Sequence, residues 1–267
     1  SVTCTLLNYI LSKTVRTVRR MRVMLGVPAV ASDVEKRAVL EALFRSGAKE
    51  AYLIETGAAA AIGSGLPVFD PLGNMIVDIG GGTTNIAVLS LGGIVVSESL
   101  RSGGQKLDAA LKEYLRGTYA IVTDDATVEE MKVYNGSAVL PLEDRNYYFR
   151  GRSLDDGLEK EVSLKSSEIY EVMGRPLLKI LELIRQALRE TPPELAADIM
   201  EHGIVLTGGG SLLKGMDQLI SQETGVPVTV AAEPETAVAK GAGMALRHRE
   251  TLHSLVQGVQ TIYKRRF

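Results

Sequence analysis

Apolar positions recur along this chain every two residues in some stretches and every three to four in others, and the changes of period mark its elements. Leu6, Leu7, Ile10 and Leu11 fall on one face of an opening helix, and Val23 to Pro28 is a short apolar run that predicts a buried strand. Ser32-Asp33-Val34-Glu35 has the spacing of a capping box, in which the hydroxyl accepts a terminal backbone N–H while the carboxylate reaches back. The helix it opens is predicted to run to about Ser46 and to stop at Gly47. Ala51 to Glu55 predicts a strand, and Ala58 to Ile62 a helical turn or more. Met75 to Ile79 predicts a strand leading into a glycine run, after which Ile86 to Leu91 and Ile94 to Leu100 form strands around a Gly92-Gly93 turn. Helices are predicted over 105–116, 126–135 and 167–190. The last has Leu177, Leu181, Ile184 and Leu188 at helical spacing, and Pro176 is expected to break or kink it near its start. Residues 141–166 are polar with short strand-like pieces. After the Pro192-Pro193 connector come a strand at Ile204 to Thr207, a glycine turn opening a helix, and a strand at Val226 to Val230. A small-residue helix over 236–249 is expected to continue toward Gln260. Strands alternating with helices place the chain in the α/β class.

Composition narrows the function. At 267 residues and 45% hydrophobic, the chain can bury a sizeable core as one large domain or two smaller ones. Thirty Lys and Arg against 32 Asp and Glu leave a net charge of −2, which gives no whole-protein attraction to nucleic acid. Charge is uneven locally: Lys13, Arg16, Arg19, Arg20 and Arg22 form a basic run, and Lys264, Arg265 and Arg266 a smaller one. The single cysteine, Cys4, allows no internal disulfide framework and fits a reducing compartment. No apolar run reaches the ~18–20 residues that span a bilayer, and the opening lacks the basic region of a signal peptide. A cytoplasmic protein is predicted. The chain opens at Ser1, inside what reads as a helix, so an N-terminal segment is expected to be missing.

Candidate chemistry concentrates in Asp78-Ile79-Gly80-Gly81-Gly82-Thr83-Thr84. Consecutive glycines let backbone N–H groups approach an anion, the two hydroxyls add donors, and the Asp78 carboxylate is placed to hold the hydration shell of Mg²⁺. A Walker loop needs Gly-Lys-Ser/Thr and then a helix, whereas a strand follows here. The segment therefore reads as a β-hairpin turn clasping phosphate, or as a glycine turn with no ligand. Gly208-Gly209-Gly210-Ser211, between a strand and a helix, reads either as bare backbone beside a ligand or as a tight turn. Ala239-Lys240-Gly241-Ala242-Gly243 reads as close helix packing.

Taken in order, the segments 53–67, 73–95, 191–219 and 233–246 resemble the actin and heat-shock-chaperone ATPase superfamily, and most closely the bacterial actins of the MreB kind. The resemblance implies an actin-like, two-lobed ATPase fold of duplicated ribonuclease-H-like domains, with ATP and Mg²⁺ in the cleft. It implies that residues 1–72 are the remainder of a first, incomplete lobe, with a C-terminal helix over 235–267 packing back on it. Residues 73–234 are then a second lobe with an insertion at about 104–166. It assigns Gly80, Gly81, Gly82, Thr83 and Thr84 to phosphate, Gly208, Gly209, Gly210 and Ser211 to adenosine, and Glu129, Glu130 and Lys132 to purine and ribose. Asp78 becomes catalytic and holds Mg²⁺ through water.

Three departures accompany the resemblance. The family's opening phosphate hairpin has no counterpart before Asp78. Two successive glutamates, the second of which positions the attacking water, read Glu55-Thr56 here. An apolar membrane-inserting loop of many relatives is replaced by the basic stretch Thr14 to Met21, so any membrane contact is expected to be electrostatic, at an anionic inner-membrane surface. The function implied is a filament subunit of the cell-shape cytoskeleton, associating with itself and with cell-wall synthesis proteins. Two other readings stay open: a pseudo-ATPase scaffold, favoured by Thr56, and a sugar kinase or phosphatase of the same superfamily.

Overall fold

The computed structural model describes residues 2–14, 21–248 and 250–259. The chain runs α1 (Val2–Thr14), β1 (Arg22–Val27), α2 (Asp33–Arg45), β2 (Glu50–Glu55), α3 (Thr56–Gly63), β3 (Asn74–Ile79), β4 (Thr84–Ser90), β5 (Gly93–Leu100) and α4 (Gly104–Thr118). It continues through β6 (Ile121–Val122), α5 (Asp125–Asn135), β7 (Asn146–Ser153), β8 (Glu159–Lys165), α6 (Ser166–Glu190), α7 (Pro193–His202) and β9 (Ile204–Thr207). A 3-10 turn (Gly209–Leu212), α8 (Met216–Thr224), β10 (Val228–Val230), α9 (Ala237–Arg247) and β11 (Val256–Val259) complete it.

A five-stranded sheet of order β10-β9-β3-β4-β5 forms the centre. Both faces of β3 and β4 are buried, as their unbroken apolar runs require. Met75, Val77, Ile79, Ile86 and Val88 join the larger core with α4, α6, α7 and α8, while Ile76, Ala87 and Leu89 pack on the alanines of α3. A second sheet, β1-β2-β11, pairs β1 with β2 in parallel and β11 with β2 antiparallel. The polar stretch 141–166 supplies β7 and β8, which with β6 make a third, antiparallel sheet.

Local signals were largely met. Ser32 and Glu35 form both halves of the capping box, with Ser32 N–H donating to Glu35 Oε2 at 2.8 Å and Glu35 N–H to Ser32 Oγ at 3.3 Å. Helices α3 and α9 meet through backbone: a Cβ on Gly63 would lie 1.8 Å from Ala237 O, and one on Gly241 1.7 Å from Ala59 O. The glycines of 239–243 therefore do serve close helix packing at Gly241, although Gly243 has open space around it.

Three expectations are corrected. Pro176 does not break its helix, since α6 runs unbroken through it. Met173, Leu177 and Ile180, all buried on either side of Pro176, hold the two halves on one core face and offset the lost backbone bond. The C-terminal helix does not cover 235–267: α9 ends at Arg247, and β11 then adds a strand to β2. Edge pairing on β2 replaces helical bonding there, and residues 260–267 lie outside the described residues. The apolar face expected for α1 is divided: Leu7 packs against Leu43 and its neighbours, whereas Leu6 and Ile10 are exposed.

Candidate functional site

The glycine run Gly80-Gly81-Gly82 is the turn of the β3–β4 hairpin, in which Ile79 faces Thr84 across an antiparallel ladder. Gly80 N–H donates to Thr83 O at 2.9 Å, while the carbonyls of Gly80 and Gly81 accept from Gly104 N–H (3.0 Å) and Gln105 N–H (2.9 Å). The first turn of α4 is thus fastened to the loop through the loop's carbonyls. The N–H groups of Gly81, Gly82 and Thr83 have no protein acceptor among the described residues. Three successive free donors at one tip are an anion-binding arrangement.

A cleft of about 380 Å³ opens beside this tip. It is lined by Gly80, Gly81, Gly104 and Gln105 at the first glycine loop and the start of α4, by Asp108, Glu129 and Lys132, and by Gly209, Gly210 and Glu235 at the second glycine run. Lys132 is 8% exposed and is held between Asp108 Oδ1 (2.9 Å) and Glu129 Oε2 (2.7 Å). Burial pushes the Asp108 carboxyl up, against the opposing pull of the Lys132 ammonium. The side chains lining the cleft carry three carboxylates and one ammonium.

Asp78 sits behind the loop rather than in the cleft wall. It is 5% exposed, accepting from Asn85 Nδ2 at 3.1 Å and from the Thr207 hydroxyl at 3.2 Å. Burial raises its pKa, and these two hydrogen bonds oppose the rise. The network continues outward: Asn85 Oδ1 accepts from the Ser99 hydroxyl (2.9 Å), whose oxygen accepts from Ala29 N–H (3.1 Å) at the end of β1. Ser97 and Arg101, two residues to either side of Ser99, bond to Glu55 and Glu35. The glycine-loop sheet is thereby tied to the β1–β2 region at three points.

Gly80, Gly81, Glu129, Lys132, Gly209 and Gly210 of the residues singled out from the sequence meet in the cleft. Others do not. The Thr84 hydroxyl is buried and donates to Ser102 O at 2.9 Å, and Thr83 Oγ1 accepts from Asn85 Nδ2 at 3.3 Å, so Thr84 offers no free hydroxyl to a ligand. Ser211 is buried with its hydroxyl on Gly208 O at 2.6 Å, closing the turn. Glu130, one residue round the helix from Glu129, is exposed and acts electrostatically on Tyr147 instead. Thr56 opens α3 with Oγ1 3.6 Å from where a Cβ on Gly26 would lie, and it does not line the cleft. Glu55 is turned to Ser97. Of the basic run, positions 16, 19 and 20 lie outside the described residues.

Gly104, Gln105, Asp108 and Glu235 were missed by sequence reasoning. The Gly103-Gly104 pair before an amphipathic helix was the available signal for the first two; Asp108 and Glu235 carry none, being single acidic residues on exposed-looking faces.

Comparison with known proteins bears on the family and the fold. The profile of the MreB/Mbl protein family matches residues 1–254. The cell shape-determining protein MreB of Escherichia coli K12 is 48% identical over 225 residues, which cover 84% of this chain and 65% of that protein. The chain therefore spans about two thirds of the length of that relative. MreB5 of Spiroplasma citri, in its crystal structure bound to ADP, superposes with a TM-score of 0.86 at 33% identity, over 93% of this chain and 75% of that one. A MamK double helical filament superposes with a TM-score of 0.75 at 24% identity, over 92% of this chain and 74% of its own, a likeness of fold alone.

Proposed function

The chain belongs to the MreB/Mbl family, with an actin-like α/β fold, and on that premise we propose that it is an ATP-binding, filament-forming subunit of the bacterial cell-shape cytoskeleton. The observation that carries the nucleotide reading is the row of N–H groups without a protein acceptor at Gly81, Gly82 and Thr83, of which Gly81 lines the 380 Å³ cleft. Support comes from MreB5, whose crystal structure holds ADP, and from the Escherichia coli relative, a cell shape-determining protein.

The cleft suits a nucleotide accompanied by a cation. Its three carboxylates and one ammonium would repel a bare triphosphate, so Mg²⁺ carried on the phosphates supplies the missing positive charge. Among the described residues no cluster of three or more His, Cys, Asp or Glu could ligate a metal directly. Asp78, with both oxygens already accepting, would hold the ion's water shell rather than the ion. Lys132 and Glu129 would take the purine and ribose, with Asp108 fixing the ammonium. Residues 1–72 with the C-terminal segment would belong to one lobe and 73–234 to the other. Self-association, contact with cell-wall synthesis proteins and an electrostatic position at the inner membrane face belong to the same proposal. No described helix is long and apolar enough to cross a membrane.

A second reading, nucleotide binding without turnover, is favoured by Thr56, which places no carboxylate at that position and does not line the cleft. Calorimetry with Mg²⁺-ATP, followed by phosphate release and pelleting, separates the readings. Binding with nucleotide-dependent polymer supports the filament subunit, binding alone supports the scaffold, and no binding by a chain extended to the length of its relatives removes both.

A further inference from the structure

We infer that Asn85 is a positioning residue, through which contact between the β1–β2 region and the glycine-loop sheet sets how tightly Mg²⁺-nucleotide is held; the inference rests on the nucleotide reading above. Strand register brings four polar residues into one row across four strands. Thr207 of β9 pairs with Asp78 of β3, Asp78 with Asn85 of β4, and Asn85 with Ser99 of β5. Thr207, Asp78 and Asn85 are 0%, 5% and 2% exposed, so each depends on its neighbours for hydrogen bonds. Asn85 is the centre of the row. Its Nδ2 donates to Asp78 Oδ2 (3.1 Å) and to Thr83 Oγ1 (3.3 Å), and its Oδ1 accepts from the Ser99 hydroxyl (2.9 Å). One amide thus holds the carboxylate proposed for the cation's water shell, a hydroxyl of the first glycine loop, and the strand that meets the β1–β2 region.

The direction of these bonds is fixed from both ends. Ala29 N–H can only donate, and it donates to Ser99 Oγ at 3.1 Å, which leaves the single hydroxyl proton for Asn85 Oδ1. An ionised Asp78 can only accept, so the amide hydrogens face it. Neither Ser99 nor Ala29 lines the cleft, and Ala29 belongs to the connection between β1 and α2. When the Ala29 bond is broken, the Ser99 hydroxyl is free to rotate, and the amide loses the partner that orients it toward Asp78 and Thr83. The coupling is reciprocal: a ligand that needs the Asp78 carboxylate and the first loop as they stand also favours the junction at Ala29.

The test is calorimetry with Mg²⁺-ATP on the chain and on Ser99→Ala, Ser99→Thr and Ser97→Ala. Ser99→Ala removes the link without touching the cleft, and the loss of one hydrogen bond behind Asn85 predicts an affinity about fivefold lower. Ser99→Thr keeps the hydroxyl on a strand that suits a β-branched residue, and should recover to within about twofold of the parent. Ser97→Ala is the control for simple loosening. It breaks the neighbouring tie to Glu55 Oε2 and leaves the row intact, so affinity should stay within about twofold. Added to Asp78→Asn, Ser99→Ala should cost less than about twofold more, because its route runs through that carboxylate. Four results would overturn the inference while leaving the nucleotide reading intact: no loss in Ser99→Ala, no recovery in Ser99→Thr, an equal loss in Ser97→Ala, or losses that simply add in the double variant. An unsubstituted chain that binds no Mg²⁺-ATP would instead remove the nucleotide reading, and this inference with it.

Discussion

A Cβ placed on Gly81 would meet nothing nearer than Gln105 Nε2 at 4.0 Å, whereas one placed on Gly210 would lie 2.4 Å from Ile79 Cγ2 and 2.9 Å from Ile79 O. The contrast holds for Gly82 against Gly208 as well. Gly82 has only Gln105 Oε1 nearby, at 3.6 Å, and neither it nor Gly81 adopts a left-handed backbone. Gly208 has φ 79°, and a Cβ there would lie 2.3 Å from Ile79 O. Two Gly-Gly-Gly runs that look alike as sequence are therefore held by different demands. The second is a joint at which β9 and the 3-10 turn close on the end of β3, and the fold itself excludes side chains at Gly208 and Gly210. The first is open, with Gly81 on the cleft, and nothing in the fold needs Gly81 or Gly82 to be bare. Bare positions of this kind are what the proposed nucleotide site would require.

This contrast is breakable by substitution. Gly210→Ala should have the largest effect, since a clash with a buried strand end costs about 3 kcal/mol or more, measured as a Tm lower by on the order of 10 °C. A Tm within about 2 °C of the parent would mean the joint can relax and the contrast is overstated. Gly81→Val should do the opposite: unchanged unfolding without nucleotide, but ATP affinity lower by about thirtyfold as a branched side chain fills the phosphate space. Unchanged affinity would remove the first loop from the site.

Asp78→Asn probes the residue that both loops share, since Asp78 Oδ1 is 2.9 Å from the place of a Cβ on Gly208. Mg²⁺-ATP affinity should fall about tenfold, while stability at neutral pH should hold or rise. The sign follows from the raised pKa: an acid whose folded pKa lies above its ordinary 3.8 has its ionised form penalised in the fold. The parent should therefore match the variant at low pH and lose stability relative to it as pH rises through the elevated value. Denaturant midpoints across that range check it, and a variant that becomes less stable with rising pH would contradict the assignment of burial as the dominant cause. Gly209→Ala should have the smallest effect. The middle glycine of the second run would meet only Glu235 Oε1 at 3.7 Å, so its substitution should stay within about 0.5 kcal/mol by thermal unfolding.

Much of the fold was legible in the sequence. The capping box at Ser32 and Glu35, the hairpin strands around 80–83 and 92–93, and the packing glycine at 241 are local, and each was read correctly from neighbouring residues. The half of the site that lies in motifs, Gly80, Gly81, Gly209 and Gly210, was legible for the same reason. The half supplied by Asp108, Gln105 and Glu235 was not, because these are single polar residues on helices or loops whose partners lie far along the chain. Glu129 and Glu130 show the limit most clearly: adjacent and chemically identical, they differ by the rotation of one helical residue, which puts one on Lys132 and the other outside.

The sequence by itself therefore determined the α/β class, most of the elements before Pro192, the hairpin that presents the glycine run, and the family. All of these depend on periodicity, turn chemistry and short motifs, whose physics operates within a few residues. Tertiary structure alone decided that α6 continues through Pro176, that the C-terminal segment adds a strand to β2, and that the hydroxyls of Thr84 and Ser211 close turns instead of facing a ligand. It alone brought Asp108 to Lys132 and Gln105 across Gly81 and Gly82. Burial and long-range hydrogen bonding set these outcomes, because a polar group takes whichever partner the packed chain brings to it, and that partner is not encoded near it in the sequence.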